Sequence, residues 1–158
     1  CTVFSCLLSI IIDDIMTEEG FPFPKNLAMT SAWILGNLKG INLKILEVKE
    51  LSSLADYFIL ASATNTIQAK AMASEIARQM NRLGYQPLSQ EGIQTNADWI
   101  LMDIGDVIVH IFLETSRAVY DLDGLWREAN SIEIPQDYYF SDVPETAEES
   151  KDSSRSYF

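Results

Sequence analysis

Residues 99–113, WILMDIGDVIVHIFL, constrain the fold of this chain more than any other stretch. Two runs rich in Ile and Val meet at Gly105-Asp106, which reads as a two-residue hairpin turn with glycine at the first central position, where a positive φ costs nothing. A two-residue turn sets the register. Ile104 lies opposite Val107, Met102 opposite Val109 and Ile100 opposite Ile111, so one face of the ribbon is wholly aliphatic and belongs to a core. The other face sets Asp103 beside Ile108, Leu101 beside His110 and Trp99 beside Phe112. A carboxylate, an imidazole and two large aromatics on one surface suit contact with a partner.

Elements that can pack on such a ribbon are legible on both sides of it. The pattern from Thr30 to Lys39 predicts a short helix ending at Gly40, and Leu43–Val48 and the run Tyr57–Ala61 have strand composition. Tyr57 and Phe58 alternate faces, so one of them is core. Asn65 with Gln68 three positions on is a capping-box arrangement opening the longest helix. Its apolar stripe is Ala69, Ala73, Ile76, Met80 and Leu83, its polar side carries Lys70, Glu75, Arg78, Gln79 and Arg82, and Gly84 stops it. Tyr85–Glu91 reads as a strand that Pro87 confines to an edge. Short helical turns are expected at Glu114–Tyr120 and Leu122–Ala129. The expected fold class is α/β: a mixed, about five-stranded sheet packed with helices, the longest one against the aliphatic face.

A chain of 158 residues fits a single domain that folds without disulfides. Its net charge of -12 is too acidic for a general nucleic-acid binder, because phosphate contacts need positive charge, and it favours a basic partner. The two cysteines, Cys1 and Cys6, build neither a disulfide framework nor a CxxC-type metal site, so a reducing cytoplasm is the expected location. The apolar run Val3–Ile12 is too short to span a bilayer and no Lys or Arg precedes it, so no membrane partner is expected. Residues 1–28 are expected to be an N-terminal extension outside the fold, upstream additions to a domain over 29–140. From Ser141 the chain is acidic with few apolar residues, and 141–158 are expected to be a disordered tail.

Four blocks occur in order: SSLADYFILASAT, the pair Glu91-Gly92, WILMDIGDVIVHIF and RAVYDLDGLW. Together they resemble the ribosomal silencing factor family, also called Iojap-like, over roughly Leu27 to Trp126. The resemblance implies a nucleotidyltransferase-like fold without enzymatic activity or cofactor. It also implies binding to the large ribosomal subunit, through the large-subunit protein numbered fourteen. That contact would keep the small subunit from joining and slow translation when nutrients are scarce. Organellar members imply a role in large-subunit assembly as the alternative. Carried over by position, the partner-facing residues are Trp99, Asp103, Asp106, His110, Tyr120, Asp121 and Leu122. The chain departs from the family pattern at Ala63, Asn65 and Asp123, where Gly, Ser and Glu are usual.

Two other readings stand beside these. Trp99 and Phe112 are alternatively capped by the C-terminal helices through Leu125 and Trp126, with Asp121 and Asp123 a helix N-cap and a first-turn acid. A metal-dependent nucleotidyltransferase would use the D-x-D of Asp121-Leu122-Asp123 with Asp103 and Asp106. It lacks a glycine in Ser62-Ala63-Thr64 for a phosphate loop and a cluster of Lys and Arg for a triphosphate, and His110, the only histidine, has apolar neighbours on its face. Metal ligation is therefore not expected. A bare Trp-containing face also serves a homodimer off the ribosome as readily as a heterologous partner.

Overall fold

A computed structural model describes residues 3–86, 89–91 and 98–139. Among the described residues six strands form one mixed sheet in the order β3-β4-β5-β2-β1-β6. They are β1 (Ile41–Glu47), β2 (Tyr57–Ala63), β3 (Ser89–Glu91), β4 (Trp99–Asp103), β5 (Val107–Leu113) and β6 (Asn130–Ile132). Only β2 and β5 run parallel; all other neighbours are antiparallel. The helices are α1 (Val3–Met16), α2 (Lys25–Asn37), α3 (Thr66–Arg82), α4 (Glu114–Tyr120) and α5 (Leu122–Leu125), with a 3-10 turn at Gln136–Tyr138. The α/β class and the mixed sheet are as expected, with the three-residue edge strand β6 added.

The hairpin has the register that its turn demands. Trp99 pairs with Phe112, Ile100 with Ile111, Leu101 with His110, Met102 with Val109 and Asp103 with Ile108. At the turn Gly105 takes φ +96, the Asp103 carboxylate accepts from its N–H at 2.9 Å, and Ile104 N–H donates to Val107 O. Nothing lies within 4 Å of a Cβ built on Gly105, so only its backbone conformation opposes a side chain. Gly105→Ala is expected to lower stability by about 1–2 kcal/mol, read as a lower urea midpoint at unchanged slope.

The aliphatic face packs under α2 and α3, where Ile59, Ile76, Met80, Met102, Val109 and Ile111 join one core. Asn65 caps α3 by accepting from Gln68 N–H at 2.8 Å, and Gln68 Oε1 reaches back to Thr64 N–H at the same distance. The Gln68 amide also donates to the carbonyls of Leu38 and Lys39, tying the start of α3 to the end of α2. α2 begins five residues earlier than its sequence pattern suggests and is buried from Asn26 to Gly36. Its exit is a Schellman turn in which Lys39, not Gly40, takes the left-handed conformation (φ 69). Gly40 donates to Leu35 O at 2.8 Å, and a Cβ there would stand 2.7 Å from that oxygen.

Two expectations are corrected. The described part of the expected extension 1–28 does not stand outside the fold: Ile12, Ile15, Leu27 and Ala28 are buried in the main core, and Asn26 donates to Met16 O at 3.1 Å. α2 is buried on every side from Asn26 to Gly36, and α1 supplies part of that cover through Ile12 and Ile15. The second face of the hairpin is not an open surface either. Ile108, His110 and Phe112 are buried in a smaller core with Leu46, Phe58 and Leu60, roofed by Val48, Ala55 and Leu122. Trp99, Leu101 and Trp126 remain only partly covered at its margin. The roof is shorter than expected, because α5 ends at Leu125, which is 70% exposed. Of the expected strand Tyr85–Glu91 only Ser89–Glu91 is strand; Tyr85 and Gln86 are described and lie outside it, while 87–88 and the expected tail, 141–158, lie outside the described residues.

Candidate functional site

Where β4 begins, the margin of the second core carries a half-buried aromatic cluster. The Trp99 ring stacks on Phe112 at 5.2 Å between centroids and meets Tyr120, at the end of α4, at 4.9 Å. Tyr120 is 43% exposed and its neighbour Val119 is exposed. Beneath them lies His110, 4% exposed, whose ring meets Phe58 edge-on at 5.0 Å. Trp99 Nε1–H donates to His110 Nδ1 at 3.1 Å. An imidazole accepting at Nδ1 is neutral and carries its proton on Nε2, which has no hydrogen-bond partner among the described residues. Burial lowers the His110 pKa to about 4.

Asp98, which sequence reasoning missed, holds the cluster from the side. Its carboxylate accepts from Ser116 Oγ at 2.9 Å and from Tyr120 Oη at 3.2 Å, and its carbonyl accepts from Leu113 N–H. The negative charge of Asp98 raises the Tyr120 pKa, so the phenol remains a donor. The only signal in the chain was position: Asp98 immediately precedes the strand that carries Trp99.

The structure brings some of the expected partner-facing residues together and separates others. Trp99 and Tyr120 touch. Asp103 and Asp106 lie at the hairpin turn, roughly 13 Å from Trp99 at about 3.3 Å per strand residue. Asp106 is exposed, whereas Asp103 caps Gly105. His110 and Leu122 are buried and present no side chain to a partner directly. Asp121 is the N-cap of α5, accepting from Gly124 N–H at 3.1 Å, with a left-handed backbone (φ 47).

Asp123 lies in a separate polar cavity of about 700 Å³, beside the carboxyl ends of the parallel strands β2 and β5. Its two oxygens receive Arg117 Nε and Nη2 at 3.0 Å each, and Lys44 Nζ approaches at 3.1 Å. The buried Arg117 also donates to Ser62 Oγ and to the Asn42 carbonyl. Hydrogen bonding from Arg117 chiefly, reinforced by Lys44 and opposed by partial burial, lowers the Asp123 pKa to about 2. The Asp123 charge is already compensated by two cations, which would repel a metal ion from it, and Asp121 accepts the cap hydrogen bond of α5. Among the described residues no three His, Cys, Asp or Glu side chains are grouped to hold an ion. The geometry therefore weighs against the D-x-D as a two-metal site, and this polar cavity is an internal brace between α4, α5 and the sheet.

Fold and surface together define a small mixed α/β domain with a partly exposed aromatic cluster at the end of the hairpin remote from its acidic turn. The chain matches the family model for the ribosomal silencing factor during starvation over residues 23–157. It is 36% identical to the ribosomal silencing factor RsfS of Haemophilus influenzae across 58% of this chain and 89% of that protein. A crystal structure of a Chromobacterium violaceum protein superposes with TM-score 0.63 at 29% identity, covering 65% of this chain and 85% of that one. More distantly, the chain is 27% identical to the mouse mitochondrial assembly of ribosomal large subunit protein 1, over 52% of this chain and 37% of that protein. The chain belongs to the ribosomal silencing factor family, a regulatory family associated with the ribosome. No helix among the described residues is long and apolar enough to cross a membrane.

Proposed function

We propose that this protein is a non-enzymatic translational repressor of the cytoplasm. It binds the large ribosomal subunit through the large-subunit protein numbered fourteen, and so prevents the small subunit from joining when nutrients are limiting. The observation that carries this reading is the Trp99–Tyr120 cluster: a partly exposed indole and an exposed phenol in tilted ring contact, each hydrogen-bonded into one orientation before any partner arrives. Aromatic anchors held in place lose little entropy on binding and commonly dominate interface energetics. Acids outnumber Lys and Arg fourteen to eight between residues 29 and 140, which supports a basic partner and an association rate that falls as salt rises.

Sucrose-gradient sedimentation of a lysate tests the reading. The wild-type protein is expected with free large subunits and not with joined ribosomes. Trp99→Ala should weaken binding to purified large subunits thirtyfold or more, the loss typical of an anchor worth about 2 kcal/mol. Wild-type protein migrating away from large subunits, or a Trp99→Ala variant binding normally, would overturn it. The name of the mouse relative favours a second reading, assembly of the large subunit. Co-migration with incomplete large-subunit particles rather than with mature ones would select it.

A further inference from the structure

We propose that His110 is a positioning residue for the Trp99 anchor: it never touches the partner, and it acts by accepting the indole N–H, which holds the partly exposed ring in its binding orientation. The inference rests on the reading of Trp99 as an anchor. Trp99 is placed by a single directional contact and three ring contacts, the third a tilted one with His110 itself at 5.8 Å between centroids. Its stacking on Phe112 and its tilted contact with Tyr120 fix the ring's plane, but neither distinguishes the indole from its flipped orientation in that plane. The Nε1–H to Nδ1 hydrogen bond does, because only one rotamer points the N–H at the imidazole.

His110 is itself immobilised. It sits on the central strand β5, opposite Leu101 and beside Leu60, with Phe58 against its ring edge, and it is almost wholly shielded from solvent. Burial keeps the ring neutral, so the acceptor lone pair is present throughout the physiological range. A leucine or phenylalanine would fill the same apolar space without leaving Nε2 unpartnered. The feature of histidine that this site uses is the acceptor aimed at Trp99.

Two variants separate positioning from packing. His110→Phe keeps an aromatic ring and removes the acceptor; His110→Asn places an amide oxygen at the branch point that Nδ1 occupies. Binding to purified large subunits is expected to weaken about five- to tenfold in His110→Phe, the range of one neutral hydrogen bond, and to stay within about threefold of wild type in His110→Asn. In a Trp99→Ala background, His110→Phe should cause no further loss, since a residue acting only through Trp99 has nothing left to position. The free protein supplies a readout independent of any partner. The Trp99 indole proton, assigned by its absence in Trp99→Phe, should be displaced and slow to exchange in wild type, and should move towards free indole in His110→Phe alone. Wild-type affinity in His110→Phe, an additive loss in the double variant or an unmoved indole resonance overturns the proposal while leaving Trp99 as an anchor. If Trp99→Ala itself binds normally while the indole resonance still responds to His110→Phe, the anchor reading has failed and the hydrogen bond stands as a structural contact only.

Discussion

Arg117→Ala is expected to lower the unfolding free energy by about 3 kcal/mol, the lower end of what breaking a buried ion pair costs. Arg117 is the hub of the polar cavity: its guanidinium is bidentate to Asp123 and donates to Ser62 Oγ and the Asn42 carbonyl. Truncation leaves the Ser62 hydroxyl, 1% exposed, without its donor and opens a void beside β2. The lower end of the range applies because Asp123 keeps Lys44 and is a quarter exposed, so water compensates part of the lost pairing. Asp123→Ala is the informative companion, since it strands the more deeply buried member of the pair. Urea unfolding of both single variants and the double should show a double variant less destabilised than the sum of the two. Strict additivity would mean that the pair contributes nothing as a pair. Arg117→Lys should not rescue, because an ammonium cannot serve four acceptor atoms in a planar fork.

Acid should destabilise the protein in two separable windows. His110 titrates near 6.5 when unfolded and at about 4 when folded, so between those values the unfolded chain binds a proton that the native protein refuses. Stability is unaffected above about pH 6.5, falls as the pH drops towards 4, and loses about 3 kcal/mol by the end of that window at 1.36 kcal/mol per unit. Asp123 behaves as a carboxylate depressed by its partners. Its contribution is whole above its ordinary pKa near 3.8 and is lost as the pH falls from there towards 2. Urea midpoints measured from pH 7 to 4 in wild type and His110→Phe isolate the first window, since the carboxylates contribute equally to both proteins. Parallel curves for the two proteins would show that His110 is not held neutral by burial.

The residues differ in how far their surroundings could be read before folding. The register of β4 against β5, the positive φ of Gly105, the Asn65 cap and the α3 stripe were all legible, because each depends on side-chain periodicity or turn stereochemistry within a few neighbouring residues. Gln79 was assigned to the polar side of α3 by that same periodicity and is nevertheless buried, paired to Glu75 and Arg82 along its own helix. Three residues are too few to show a period, and so β6 left no trace. Within the candidate site Trp99 stood out by residue type and Tyr120 only through the family resemblance, whereas Asp98 and Arg117 did not stand out, since a lone acid or base looks the same in a sequence whether solvated or enclosed.

What the sequence by itself determined is therefore the aliphatic face, the hairpin that presents it, and the family blocks on which the ribosomal reading rests. Only the tertiary structure decided what lies over the opposite face. Ile108, His110 and Phe112 became core because the segment after β1 and α5 fold across them, and Trp99 kept an open side because that cover stops short of β4. Arg117 became a buried hub through partners 55 and 75 residues away in Ser62 and Asn42. The physical reason is range. Propensity, alternation and turn geometry act over a few residues of chain, while burial is set by whichever distant segment displaces water, and the hydrogen-bond needs of an enclosed polar group are then met by whatever that segment brings with it.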